Sequence, residues 1–242
     1  LELIHQEQEQ KTGYLELGNC GLTELPDLSK LEWLETLVVS NSWWDSQEQK
    51  WVNSKNNGEP NCLSAPPSRY LPRSLQALIW AGGPRKKWPV SNLGFLEILT
   101  SLGSLDLSLN QISDLEGFEK LPNLTLLNLS KNQISDISFL GKLNSLTSLD
   151  LSVNQIRDCR FLERLTNLTS LDISYNEVSD CRFLERLTNL TSLDISNNEV
   201  SDCRFLERLT NLTSLDIGSN EVSDCQFLEK LANLTSLDIS SN

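Results

Sequence analysis

From Leu102 to the last residue, apolar positions recur on a fixed schedule: Leu102, Leu105 and Leu107 are followed 22 residues later by Leu124, Leu127 and Leu129, and the pattern reopens at Leu146, Leu168, Leu190, Leu212 and Leu234. Each copy reads L-x-x-L-x-L/I-x-x-N. Its Asn falls at Asn110, Asn132, Asn154, Asn176, Asn198, Asn220 and Asn242, and all but the last are followed by Ile or Val two positions on and Asp four positions on. Leu105 and Leu107 alternate with Ser104 and Asp106, which predicts a strand with one face in the core and the other in water. Repetition of that strand predicts a stacked parallel sheet. The Asn column suits the turn leaving each strand, where a short amide satisfies backbone groups that have no ladder partner. Later apolar positions such as Leu162 and Leu165 predict short helical turns closing the core from the opposite side.

The N-terminal third carries the same pattern in degraded form. With Thr12 as the opening position, Leu15, Leu17, Leu22 and Leu25 fit, and Cys20 stands where later copies have Asn. Leu34, Leu37 and Val39 follow after one period. The next strand, Leu75, Leu78 and Trp80, comes 41 residues later, so about 19 residues are inserted, and about five more precede Leu102. The chain therefore divides into a capping helix over 1–11, irregular repeats over 12–101 with long insertions at about 43–74 and 84–94, and regular 22-residue repeats over 102–242 without a C-terminal cap. Ten strands are expected.

These marks are those of a leucine-rich repeat. The segment NQISDISFLGKLNSLTSLDLS (Asn132 to Ser152) resembles the 22-residue repeats of internalin-like bacterial proteins and of the related eukaryotic phosphatase-regulator class. The shorter GYLELGNCGLTELP (Gly13 to Pro26) resembles the opening of the arrays that precede GTPase modules in bacterial Roco-type proteins. The resemblance implies an α/β fold: a leucine-rich repeat solenoid with a curved parallel sheet on its concave side and short helical or 3-10 turns on its convex side. It also implies binding of other macromolecules, without naming which.

Composition adds bounds. Hydrophobic residues make up 38% and charged residues 22%, with no apolar run long enough to span a bilayer. A repeat array of this length folds as one unit because each repeat contacts only its neighbours. The absence of Met and the stop midway through a repeat at Asn242 lead us to expect a piece of a larger protein. No G-x-S-x-G, H-E-x-x-H, C-x-x-C or phosphate loop is present; Gly82, Gly83, Pro84, Arg85 and Lys86 have neither the spacing nor the following Ser/Thr of a phosphate loop. The single histidine, His5, has no recognisable catalytic partner. The reading is a non-catalytic module with no cofactor and no metal.

Cys159, Cys181, Cys203 and Cys225 also recur every 22 residues, in a column that holds Leu115 and Ile137 earlier. That column reads as core, with Cys acting as a small hydrophobe. Reduced core thiols fit a cytoplasmic location; a surface or secreted internalin-like adhesin is the alternative, and Cys20 with Cys62 leaves one pairing open. The N-L-T triplets match a glycosylation sequon, but the repeat alone accounts for their recurrence.

Charge and aromatics separate along the chain. Residues 101–242 carry 21 acidic and 11 basic side chains, residues 1–100 carry 12 and 9, and all six Trp lie in the first 90 positions. On the strand face, Ser104 heads one column and Asp106 the next, where Asn128, Asp150, Asp172, Asp194, Asp216 and Asp238 follow; Lys131, Val153, Tyr175 and Asn197 form a third. Stacked carboxylates attract cations or a basic protein and exclude nucleic acid. The alternative is that duplication copied Asp as a merely solvated position. A second candidate contact is the pair of excursions, with Trp43, Trp44 and Trp51 on one and Arg85, Lys86, Lys87 and Trp88 on the other, expected side by side on one edge. Its alternative is that the indoles fold down over irregular repeats. A protein partner is expected, with neither nucleic acid nor a membrane; the sequence is silent on oligomeric state. The three functional readings are a sensor or scaffold in an intracellular signalling or defence protein, a surface adhesin, and a regulatory segment of an enzyme.

Overall fold

The computed structural model describes residues 1–45, 50–83 and 88–242. They fall into two units, Leu1–Ile112 with Glu116–Leu124 and Ser113–Leu115 with Thr125–Asn242. The first unit begins with α1 (Glu2–Gln10) and holds β1 (Tyr14–Glu16), β2 (Thr36–Val38), β3 (Ser42–Asp45), β4 (Lys50–Asn53), β5 (Ala77–Ile79) and β6 (Ser104–Asp106). Here β1, β2, β5 and β6 pair in parallel in that order. β3 and β4 form a separate antiparallel hairpin. The second unit holds β7 (Leu126–Asn128), β8 (Ser148–Asp150), β9 (Ser170–Asp172), β10 (Ser192–Asp194), β11 (Ser214–Asp216) and β12 (Ser236–Asp238), also parallel and in chain order. The ten parallel strands are those the hydrophobic pattern gives; the hairpin is additional.

Each parallel strand is three residues long, and side-chain chemistry sets that limit. In β8, β9 and β10 the central Leu149, Leu171 and Leu193 are buried. The Asp that ends each strand turns its Oδ1 back to accept the backbone N–H two residues on: Ser152 from Asp150 at 2.9 Å, Ser174 from Asp172 at 2.9 Å and Ser196 from Asp194 at 2.9 Å. This Asx turn takes the chain off the strand direction. The following residue then adopts a left-handed backbone, with φ of 58° at Lys131, 57° at Val153 and 53° at Tyr175.

The Asn column supplies what the turn leaves unmade. Asn154 Nδ2 donates to the carbonyls of Leu151 (2.9 Å) and Leu129 (3.1 Å), while its Oδ1 accepts the N–H of Ile134 at 3.0 Å. Asn176, Asn198 and Asn220 repeat the scheme. One side chain thus bonds two successive repeats, so the column is structural. On the far side, 3-10 turns at Arg160–Arg164, Arg182–Arg186 and Arg204–Arg208 bury Leu162, Leu184 and Leu206. Cys159, Cys181 and Cys203 precede these turns and are buried as core residues, unbridged.

The first unit keeps this logic by substitution. Cys20 stands at the Asn position of the first repeat and keeps part of its bonding: its Sγ donates to the Gly18 carbonyl at 3.4 Å, as Asn154 does to Ser152, and accepts from Asn56 Nδ2 at 3.6 Å. Asn61, at the far end of the insertion, is the Asn of the next repeat and bonds as Asn154 does. Its Nδ2 donates to Leu17 O (2.6 Å) and Val39 O (2.9 Å), and its Oδ1 accepts from Leu22 N (2.8 Å) and Cys20 N (3.1 Å). From Asn61 onward the chain is back in register, with Leu63 and Leu75 buried where Ile112 and Leu124 stand in the repeat that follows β6. The inserted residues are therefore 42–60, against the 43–74 expected, because the repeat resumes at its Asn rather than at its next strand. The return limb lies over the first repeat: Asn56 Nδ2 donates to Gly18 O (2.9 Å) and Glu16 O (3.2 Å), and Gly21 N donates to Glu59 O (2.7 Å).

α1 is fastened through one carboxylate. Glu7 accepts from Gly13 N (2.9 Å), Trp33 Nε1 (2.9 Å) and the Thr12 hydroxyl. Burial opposes its charge, yet these bonds outweigh it and hold its pKa below the usual carboxylate value. His5 is exposed on the same helix.

Candidate recognition surface

The strand face of the second unit carries three columns. Ser148, Ser170, Ser192 and Ser214 are half-buried, and in-register pairing sets Asp150, Asp172, Asp194 and Asp216 side by side on adjoining strands, about 4.8 Å apart as parallel strands are. The third column is not the end of the strand, as the alternation suggested, but the left-handed turn residue. The Asx turn ends the strand one step earlier than simple alternation implies. At that turn Tyr175 is 57% exposed and Val153 39% exposed. A β-branched residue rarely occupies this backbone region.

The Asp ladder is electrostatically strained. Asp194 is pushed up to about 6, first by burial and then by the charge of Asp172; Asp172 is likewise raised to about 6 by burial and by Asp150. Asp238 has the same bonds from Ser240 but is fully exposed, and there they lower the pKa. The hydrogen bonds themselves therefore favour the carboxylate, and burial first, then the charge of the neighbouring Asp, opposes it. Asp106, in the first unit, is buried and also rises to about 6.

Asn128 shows that this turn does not require a charge. Its Oδ1 accepts from Ser130 N at 3.0 Å and from Ser130 Oγ at 2.8 Å, the same pair of bonds that Asp150, Asp172 and Asp194 make. An amide closes it as well as a carboxylate, without the repulsion.

The excursion residues are placed differently. Trp88 is 1% exposed and Trp43 8%, so neither indole is available to a partner. These two fold down onto irregular repeats. The sequence contains the signal: Trp88 stands 14 residues before Leu102, the spacing of Asn110 to Leu124, so it falls on the inward-facing ladder position. Its ring meets Trp80 edge-on at 6.4 Å. Gly82 makes room for this arrangement, since a Cβ there would lie 1.8 Å from Leu109 O and 2.9 Å from Trp88 N. The disturbance leaves Trp80 Nε1 and Asn110 Oδ1 buried without partners among the described residues. Trp44 and Trp51 are register partners in the hairpin. Arg85, Lys86 and Lys87 lie outside the described residues. The described return limb of the first excursion runs over the first repeat.

The family model for leucine-rich repeats in two copies matches residues 100–142, 122–164 and 166–208, and a single-repeat model matches 208–224, together just over half of the chain. The chain belongs to the leucine-rich repeat family. No curated protein sequence matches it. Among solved structures, this leucine-rich repeat protein is similar to an internalin (inlF) from Listeria monocytogenes, with a TM-score of 0.72 at 25% identity over 95% of this chain and 67% of that one. Internalin C2 from the same organism gives 0.68 at 26%, over 94% and 80%. A plant peptide hormone receptor, RGFR1, in complex with RGF2 gives 0.63 at 24%, over 74% and 30%. The internalin likeness expected from Asn132 to Ser152 is thus shown for the fold. Leucine-rich repeat domains are typically non-catalytic protein-recognition modules. Among the described residues no helix is long and apolar enough to cross a membrane.

Proposed function

We propose that the strand face of the second unit reads a basic, extended segment of a protein partner, and that the chain serves as the sensor or scaffold part of a larger signalling or defence protein without chemistry of its own. The observation that carries this is Asn128. Because an amide satisfies the turn, the charge of the Asp column is surplus to folding, and at Asp172 and Asp194 burial and the neighbouring charge oppose it. Such a feature is best explained by a ligand that neutralises it. Tyr175 adds an exposed amphipathic ring suited to the stem of a Lys or Arg. The strands are fixed by backbone ladders and by the Asn column, so docking orders little of the module itself. The plant receptor bound to its ligand supports a protein ligand in general terms.

A cytoplasmic setting suits the unbridged cysteine column. Burial pushes Cys159 and Cys203 up to about 12 and Cys181 well above its ordinary value, which leaves these thiols inert.

The test is binding of a blocked Lys-Ser-Lys-Ser-Lys-Ser peptide, followed by fluorescence anisotropy at two salt concentrations. Wild type should bind, more weakly at higher salt; the Asp172→Asn/Asp194→Asn/Asp216→Asn variant should lose about tenfold or more in affinity. Equal binding by both proteins rejects the reading.

A further inference from the structure

Away from the strands, the first unit has a cleft of about 590 Å³ between three successive repeats. Ser29 and Glu32 come from the connection before β2, Arg69, Leu71, Arg73 and Ser74 from the connection before β5, and Ile98 from the 3-10 turn before β6. Leu71 is buried and Ile98 half-buried, which gives the cleft an apolar floor. Both arginines are exposed at its mouth. Ser74 Oγ is fixed by donating to Leu34 O at 2.7 Å, leaving its lone pairs to accept.

In the second unit Arg157, Arg160, Arg182, Arg186 and Arg204 are ion-paired, while Arg164 and Arg208 have no carboxylate within 4.0 Å among the described residues. Arg69 and Arg73 have no carboxylate within 4.0 Å among the described residues, although Glu32 lines the same cleft and Asp27, lowered in pKa first by its hydrogen bonds from Ser29, also feels the charge of Arg69. Arg69 is steadied instead by its neighbour's ring, with the guanidinium carbon 5.4 Å from the centroid of Tyr70. Two exposed guanidinia with no carboxylate within 4.0 Å, over an apolar floor, suit a ligand with an anionic group and an apolar body.

We propose that this cleft binds an acidic segment of a protein partner, with Arg69 and Arg73 taking a carboxylate and Leu71 and Ile98 taking the apolar side chain next to it. A singly charged carboxylate suits the site better than a phosphate dianion because Glu32 at the rim repels the second charge. The cleft lies on inter-strand connections, so this proposal stands independently of the reading of the Asp ladder.

The experiment follows the side-chain Nε–H signals of Arg69 and Arg73 by NMR in the full chain. Acetyl-Asp-Leu-Asp-Leu-amide, its Asn-Leu-Asn-Leu counterpart and inorganic phosphate are added in turn. The Asp peptide should shift both signals saturably and the Asn peptide should not. Arg69→Gln/Arg73→Gln should weaken binding by about tenfold or more, while Glu32→Gln should tighten it by about two- to threefold. If the double variant fails to fold by circular dichroism, the Glu32→Gln result decides, and unchanged or weaker binding there overturns the proposal. Equal response to the Asn peptide, no saturable shift, or phosphate binding as tightly as the Asp peptide overturns it as well, the last by making the cleft a small-anion site.

Discussion

Replacing Asp172 and Asp194 by Asn removes two charges from the ladder while leaving its hydrogen bonds in place, as Asn128 demonstrates within the same unit. Both carboxyls titrate in the folded protein at about 6, above the ordinary 3.8. A rise of about two units is worth at most about 3 kcal/mol per group at about 1.36 kcal/mol per unit. Partial exposure and screening reduce that to about 1 kcal/mol each, and because the two carboxylates repel one another, the pair yields less than the sum, about 1.5 kcal/mol. Since the folded-state pKa is the higher one, ionisation opposes folding: the full penalty applies above about 6 and disappears below the unfolded value. Wild type should therefore gain stability as pH falls from 7.5 to 4.0, and the double variant should gain less. In urea titrations at pH 7.5 the variant's midpoint should lie about 0.5 M higher, for a slope near 3 kcal/mol/M, and at pH 4.0 the two midpoints should differ by about 0.1 M. A variant less stable at both pH values, or equally displaced at both, would show that the Asp column is not strained and remove the argument that its charge is surplus to folding.

Other consequences concern the rest of the chain. Asn61→Ala removes four hydrogen bonds at 2.6–3.1 Å; the loss should be about 3 kcal/mol, measured by denaturation, against about 1 kcal/mol for the peripheral Asn56→Ala. Val153→Asn should stabilise by about 1 kcal/mol, because φ of 57° strains a β-branched residue; a fall in melting temperature would speak against strain there. In native protein, Cys20, Cys62 and Cys225 should react with a thiol reagent within minutes while the buried Cys159, Cys181 and Cys203 wait for unfolding, an order that peptide mapping reads directly.

The hydrophobic schedule revealed the stacked strands because the same face is buried in every repeat, and the Asn column because its side chain has one geometric task. The substitutions in the first unit were harder to see. Cys20 stands in the Asn column with a thiol that makes one of the amide's bonds, to Gly18 O, and the next member of the column, Asn61, lies 41 residues on instead of 22 because the insertion separates them. Counting back 14 residues from Leu75 and Leu102 reaches Asn61 and Trp88, so both insertions could have been delimited from the sequence by phase alone. The burial of Trp88 follows from that count. The third column was misassigned to the strand because alternation does not register an Asx turn, which depends on a side chain bonding to its own backbone. The cleft at Arg69 and Arg73 was invisible in the pattern, since Ser29, Glu32 and Ile98 reach it from separate repeats.

The most direct test of recognition through the Asp ladder is affinity capture from source cells with mass spectrometry, comparing wild type, Asp172→Asn/Asp194→Asn/Asp216→Asn and the outer-face variant Arg182→Gln/Arg204→Gln, each at matched folded fraction. The account predicts a protein partner that is enriched by wild type and by the outer-face variant and is lost with the Asn variant. Retention by the Asn variant, or loss only with the outer-face variant, would contradict it.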